Sequence, residues 1–269
     1  QDQVLVRAHL GVAVGRQRRL GHDLVVVRLG AVIQRALDRD QRVKAPLGEV
    51  FRRNWWELIL GTFVMYATYV LFYLMTTWIL SYAIGKPANG FLGVPYAEFL
   101  VLQLVGILFF AAFVPVSGLL ADRFGRRPTL IVISVLMVVF GLSFGLWLSP
   151  ENMGVGAELN VPLMLAFLAT GMTLMGLTFG PMSAVLPELF PTNTRYTGSG
   201  IAYNVSSILG AALTPFIAAW LVQKFDVAYV GYYLAAASAI TVIALALSPE
   251  TRHTDLDTVT SARERRAAR

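Results

Sequence analysis

Four charged side chains crowd one short stretch, Gly118–Pro128, which reads GLLADRFGRRP: Asp122, Arg123, Arg126 and Arg127. A run of about twenty apolar residues lies on each side of it. The chemistry open to this cluster is ion pairing and the recognition of phosphate head groups, not bond making. Asp122 falls at the end of the preceding apolar run. If that run is a helix, the carboxylate meets the negative end of its dipole and needs a compensating partner. Arg123, another arginine or the positive start of a neighbouring helix could serve. Gly125 allows a tight turn with positive φ, and Gly118 allows another helix to come close. Arg126 and Arg127 would open the next run, within reach of lipid phosphates and of carboxylates on other loops. Plain anchoring by positive charge accounts for the arginines but not for Asp122 or the two glycines at this spacing.

Other polar groups sit inside apolar runs. Tyr66, Tyr69 and Tyr73 follow the i, i+3, i+7 spacing of one helix face, where three phenols could line a polar cavity. Gln103, Tyr203 and Asn204 are further candidates for such a cavity. Asn204 stands out because an amide in hydrocarbon needs a partner. Met172, Met175 and Phe179 share another face, for which ordinary packing is the competing explanation. Catalytic sets are missing. There is no cysteine, and His9, His22 and His253 all lie outside the apolar runs. No cofactor or metal is expected, and the chain is not expected to be an enzyme.

The elements that must position these groups follow from composition. Apolar residues make up 56% of the 269 and charged residues 14%, with a mean hydropathy of +0.63. Ordinary soluble domains carry roughly 25% charged residues. A bilayer core about 30 Å thick takes about 20 apolar residues of helix to cross. Six stretches qualify, at about 58–84, 99–121, 129–148, 161–186, 200–222 and 229–247. They are continuous rather than alternating, so helices are expected and a β-barrel is not. The expected class is an all-α, polytopic membrane protein.

Basic residues set the orientation. Arg52, Arg53, Arg123, Arg126, Arg127, Arg195, Arg252, Arg263, Arg265, Arg266 and Arg269 fall on one side of the six runs, against Lys86 and Lys224 on the other. Both termini are therefore expected in the cytoplasm and the chain in the plasma (inner) membrane. The net charge of +6 is explained by topology. No nucleic-acid partner is expected, because no basic patch is interleaved with aromatic residues.

Three regions are expected. Residues 1–50 contain no Phe, Tyr or Trp and read as a basic arm, either disordered or shifted in reading frame. Residues 51–249 form the six-helix bundle, and residues 250–269 a cytoplasmic tail. The first residue is Gln1 rather than Met, and a fragment or a processed chain is expected.

The pattern G-x-x-x-D-R-x-G-R-R at Gly118–Arg127 resembles the loop signature of the major facilitator superfamily, where it joins the second and third helices of each six-helix half. The stretch LPELFPTNTRYTGSGIAYNVSSILGAALTPFIAAW, Leu186–Trp220, resembles the metabolite:proton symporter branch, and the SPET at Ser248–Thr251 resembles the family's ending. The resemblance implies a secondary transporter of which this chain supplies the C-terminal six-helix half, residues 44–251. It further implies that Glu188 and Arg195, in an E-x-x-P-x-x-x-R pattern with Pro191, cap helix ends near Arg123–Arg127. An ion-pair cluster there would latch a cytoplasmic gate in one state and break in the other, a static salt bridge being the alternative. No ionisable group lies at the centre of any run, and the resemblance implies that the proton-coupling groups belong to the absent N-terminal half. The expected function is proton-coupled movement of a small organic metabolite, an organic acid or osmolyte, by alternating access. The expected partners are the substrate, protons, the lipid bilayer and the missing half. The alternative is a stand-alone six-span protein acting as a dimeric sensor or scaffold.

Overall fold

The computed structural model describes residues 46–249 apart from 192 and 193, and every regular element among them is a helix. The expectations for residues 1–45 and 250–269 lie outside the described residues. A short helix, α1 (Pro46–Arg53), leads in. Five long helices follow the apolar runs: α2 (Trp55–Ile84), α3 (Tyr96–Phe124), α7 (Val161–Glu188), α8 (Arg195–Lys224) and α9 (Val227–Leu247). Each has 21 to 30 residues, enough to cross a bilayer.

The remaining run departs from its expected continuous span at 129–148. It forms α4 (Arg126–Leu142), 17 residues long, then a break at Ser143, then α5 (Phe144–Leu148). The cause is local. The Ser143 hydroxyl donates to the Phe140 carbonyl at 2.8 Å and accepts the Trp147 indole N–H at 2.9 Å, competing with the helix ladder. So five helices among the described residues are long and apolar enough to cross a membrane, and the sixth apolar run is in two pieces. One more short helix, α6 (Pro150–Met153), follows before α7.

The core depends on which helices bury which faces. α2 is central, touching α7, α8 and α9, while α9 also lies along α4 and α3 lies along α7. Within their most apolar eighteen residues α2 is 61% buried and α3 only 17%. α3 therefore turns most of its apolar surface outward. One core cluster, toward the 85–95 connection, is aromatic: Trp78 stacks on Tyr82 and Phe140 on Phe167, at 5.1 and 5.2 Å between centroids. A second cluster, of Leu60, Val64, Leu130, Val185, Phe190 and Leu245, sits toward the Gly125 turn. α4 and α9 meet backbone to backbone, since a Cβ on Gly141 would stand 2.6 Å from the Gly231 carbonyl. Only glycine permits that approach.

Both α2 and α8 contain a π turn, at Leu74–Trp78 and Ile208–Ala212. The α8 turn runs into a bend at Leu213, ahead of Pro215, whose missing N–H leaves the ladder incomplete. In α2 a buried side chain from another helix occupies the opening, as described below.

Candidate functional site

The GLLADRFGRRP stretch is a helix–turn–helix joint. α3 ends at Phe124, Gly125 takes φ 98°, ψ 150°, and α4 begins at Arg126. The positive φ is the conformation that requires glycine here. Thr129 closes the turn, its hydroxyl donating to the Gly125 carbonyl at 2.8 Å.

Around this turn, side chains tie helix ends together. Arg126 forms an ion pair with Glu188, the last residue of α7. Arg127 donates from Nε to the Leu245 carbonyl at 2.8 Å and from a terminal nitrogen to the Ala246 carbonyl at 2.7 Å, capping α9. Arg195 donates to the Pro187 carbonyl at 3.1 Å, capping α7. Guanidinium groups at two helix C-termini meet the negative dipole ends and the unpaired carbonyls there. Glu188 is on the unfavourable end of its own helix, and the Arg126 charge offsets that. Thr194 donates to Asn54 Oδ1 at 3.1 Å, so the start of α2 joins the same end of the bundle.

The other members of the motif point elsewhere. Asp122 is exposed, and no described residue offers it a hydrogen bond or ion pair. The compensating partner expected from the helix dipole is not supplied by the described residues. Arg123 is exposed and stands 5.4 Å from the centroid of the neighbouring Phe124 ring. A Cβ on Gly118 would meet open space, so no described helix makes the close approach expected there.

The second feature is a groove. A cavity of about 350 Å³ is walled by Tyr69 and Tyr73 on α2, Phe179 and Ser183 on α7, and Tyr203 and Ser207 on α8. It adjoins a broader, more open recess of about 800 Å³ that reaches past Asn204 to Tyr196 and Pro187, at the arginine-tied end. Among the described residues, none that is charged lines either part. The Tyr69 and Tyr203 rings meet edge to face at 5.6 Å. The walls therefore offer aromatic faces, hydroxyls and one amide, suited to a small solute held by π contact and hydrogen bonds.

The cavity candidates separate into two groups. Tyr69, Tyr73, Tyr203 and Asn204 line the groove. The Asn204 side chain finds its partner on its own helix, donating to the Gly200 carbonyl at 2.7 Å. Tyr66 and Gln103 do not line it. The Tyr66 hydroxyl is 3.4 Å from that of Tyr233, which is 3.0 Å from Thr214, a chain of hydroxyls joining α2, α8 and α9. Gln103 is buried and donates to the Met75 and Thr76 carbonyls, at 3.1 and 3.0 Å, inside the π turn of α2. Met172 and Met175 are core residues, whereas Phe179 on the same face reaches the groove. Ser183 and Ser207 were not anticipated; short hydroxyls are common in such helices and carry no distinguishing pattern.

Residues 26–262 match the family model described as sugar (and other) transporter. The chain is 45% identical over 225 residues to the inner membrane metabolite transport protein YhjE of Escherichia coli K12, covering 84% of this chain and 49% of that protein. It is 33% identical to the glycine betaine/proline/ectoine/pipecolic acid transporter OusA of Dickeya dadantii, covering 84% and 43%. It is also 33% identical to a proline/betaine transporter of Salmonella typhimurium, covering 81% and 41%. The chain spans about half the length of the curated relatives it matches.

Proposed function

This chain belongs to the sugar (and other) transporter family, within the major facilitator superfamily, and on that premise we propose that it is the C-terminal six-helix half of a proton-coupled symporter. The solute is a small organic metabolite, an organic acid or osmolyte. The chain crosses the inner membrane several times with both termini in the cytoplasm. An N-terminal half closes the open side of the groove, supplies the ionisable groups that carry protons, and rocks against this half to give alternating access.

The observation that carries the proposal is the uncharged groove on α2, α7 and α8, which runs from the tyrosines at its centre to the arginine-tied end of the bundle. Its lack of charge supports a division of labour in which this half supplies shape and π contact while the coupling chemistry resides elsewhere. The names of the relatives, a metabolite transport protein and transporters of proline and betaines, support the solute class. Asp122, exposed on α3, and Gly118, where an added Cβ would meet open space, suit a gate face that meets the other half in one state.

The test is counterflow and gradient-driven uptake by the full-length protein in proteoliposomes, with a panel of organic acids, amino acids and betaines. Uptake of at least one of these, stimulated by an inward proton gradient and abolished by a protonophore, is the expected result. Uptake indifferent to the proton gradient would remove the coupling, and no exchange of any panel member would remove the solute class.

A further inference from the structure

We propose that the groove holds a fully methylated ammonium group through aromatic rings, without a counter-charge from this half. The inference rests on the reading of the groove as a solute site and names the part of the solute that this half recognises. Five rings from three helices wall the cavity of about 350 Å³: Tyr69, Phe72 and Tyr73 on α2, Phe179 on α7 and Tyr203 on α8. Phe179 and Tyr203 are 46% and 50% exposed, so both rings keep surface free for contact. The planes of Tyr69 and Tyr203 stand 79° apart and those of Phe72 and Tyr73 56° apart, so the rings form corners rather than one flat wall. Phe179 is backed by Phe110, edge to face at 5.5 Å. Ring faces set at several angles around an uncharged cavity suit a cation held by the ring quadrupoles.

The chemistry of the wall selects the kind of charge. A carboxylate meets the negative faces of the rings, and no guanidinium or ammonium among the described residues lines the cavity to offset that. The donors beside the rings are turned away as well. The Ser183 hydroxyl donates to the Gly180 carbonyl at 2.9 Å, and the Asn204 amide donates to the Gly200 carbonyl at 2.7 Å. A primary ammonium has three N–H donors, each needing an acceptor once it leaves water. A trimethylammonium group has no N–H to satisfy, so it leaves water at lower cost and ring contact replaces its loose hydration. If the solute also carries a carboxylate, that end lies toward the open side of the groove, against the other half.

The test is equilibrium binding of labelled glycine betaine to the purified full-length protein in detergent, in competition with two analogues. The tert-butyl analogue replaces the nitrogen by carbon and keeps the shape without the charge. Glycine keeps the charge without the methyl groups. Each is expected to compete about tenfold more weakly than unlabelled betaine, or worse. Tyr203→Phe should bind as the parent does. Tyr203→Leu should lose about tenfold in betaine affinity while its affinity for the tert-butyl analogue stays the same. Equal competition by either analogue, an equal loss for both ligands in Tyr203→Leu, or no betaine binding at all would each overturn the proposal. A protein that exchanges an organic acid but binds no betaine keeps the transport reading and loses this one; betaine binding without any exchange does the reverse.

Discussion

Arg126, the first residue of α4, is ion-paired with Glu188, the last residue of α7. The pair bridges the helix that follows the glycine turn and a helix that walls the groove. It therefore connects the arginine-tied end of the bundle to the wall of the groove.

That pair is only partly exposed, 24% for the Arg126 side chain and 11% for Glu188. Either Arg126→Gln or Glu188→Gln is expected to lower thermal stability by about 1.5–3 kcal/mol, the range for hydrogen bonds to charged groups. The double variant should lose less than the sum of the two, because both single changes remove the same interaction. Thermal unfolding of the purified full-length protein checks this; strict additivity would show that the two side chains act independently.

Asp122→Asn in the intact protein is expected to reduce maximal uptake about tenfold, equivalent to roughly 1.4 kcal/mol, with membrane abundance nearly unchanged. The carboxylate is exposed and has no described partner, so its removal should spare folding. Unchanged uptake kinetics would exclude a gate role for it.

Tyr73→Ala and Tyr203→Ala are each expected to raise the half-saturation concentration about tenfold, as the loss of one aromatic wall would. Tyr66→Phe should leave it alone, because its hydroxyl faces Tyr233 rather than the groove. Concentration-dependent uptake separates the two groups.

Gln103→Leu removes the donor held by the Met75 and Thr76 carbonyls. The expected outcome is a loss of about 1–3 kcal/mol in stability from two stranded acceptors, without a change in solute selectivity. Unfolding measurements together with a competition panel test both parts.

The crossing segments were legible in the sequence because lipid imposes a length of apolar helix that composition alone reveals. Their ends extend a little further, as at Trp55 and Lys224, where interfacial and charged side chains remain helical outside the oil. The break at Ser143 was not legible, since hydropathy averages over a single hydroxyl that competes with the backbone. Gly125 was legible because a glycine between charged residues at a helix joint has few other uses. The Arg127 caps on Leu245 and Ala246 were not, as they join positions 118 and 119 residues apart. The three tyrosines at i, i+3, i+7 divide between two neighbours: Tyr66 turns to α9, Tyr69 and Tyr73 to the groove. Gln103 was misplaced because its acceptors exist only where a helix widens, which residue spacing does not announce.

The π turn at Leu74–Trp78 inserts one extra residue into α2 directly after Tyr73. Each residue turns an α-helix by about 100°, so the helix changes phase there. Trp78 and Tyr82 reach the aromatic core only in the shifted phase, while Tyr69 and Tyr73 reach the groove in the original one. A single rod thus presents two differently oriented faces to two neighbours, and shortening it by one residue at the turn would bring its two halves into one register and leave one of those faces misaligned.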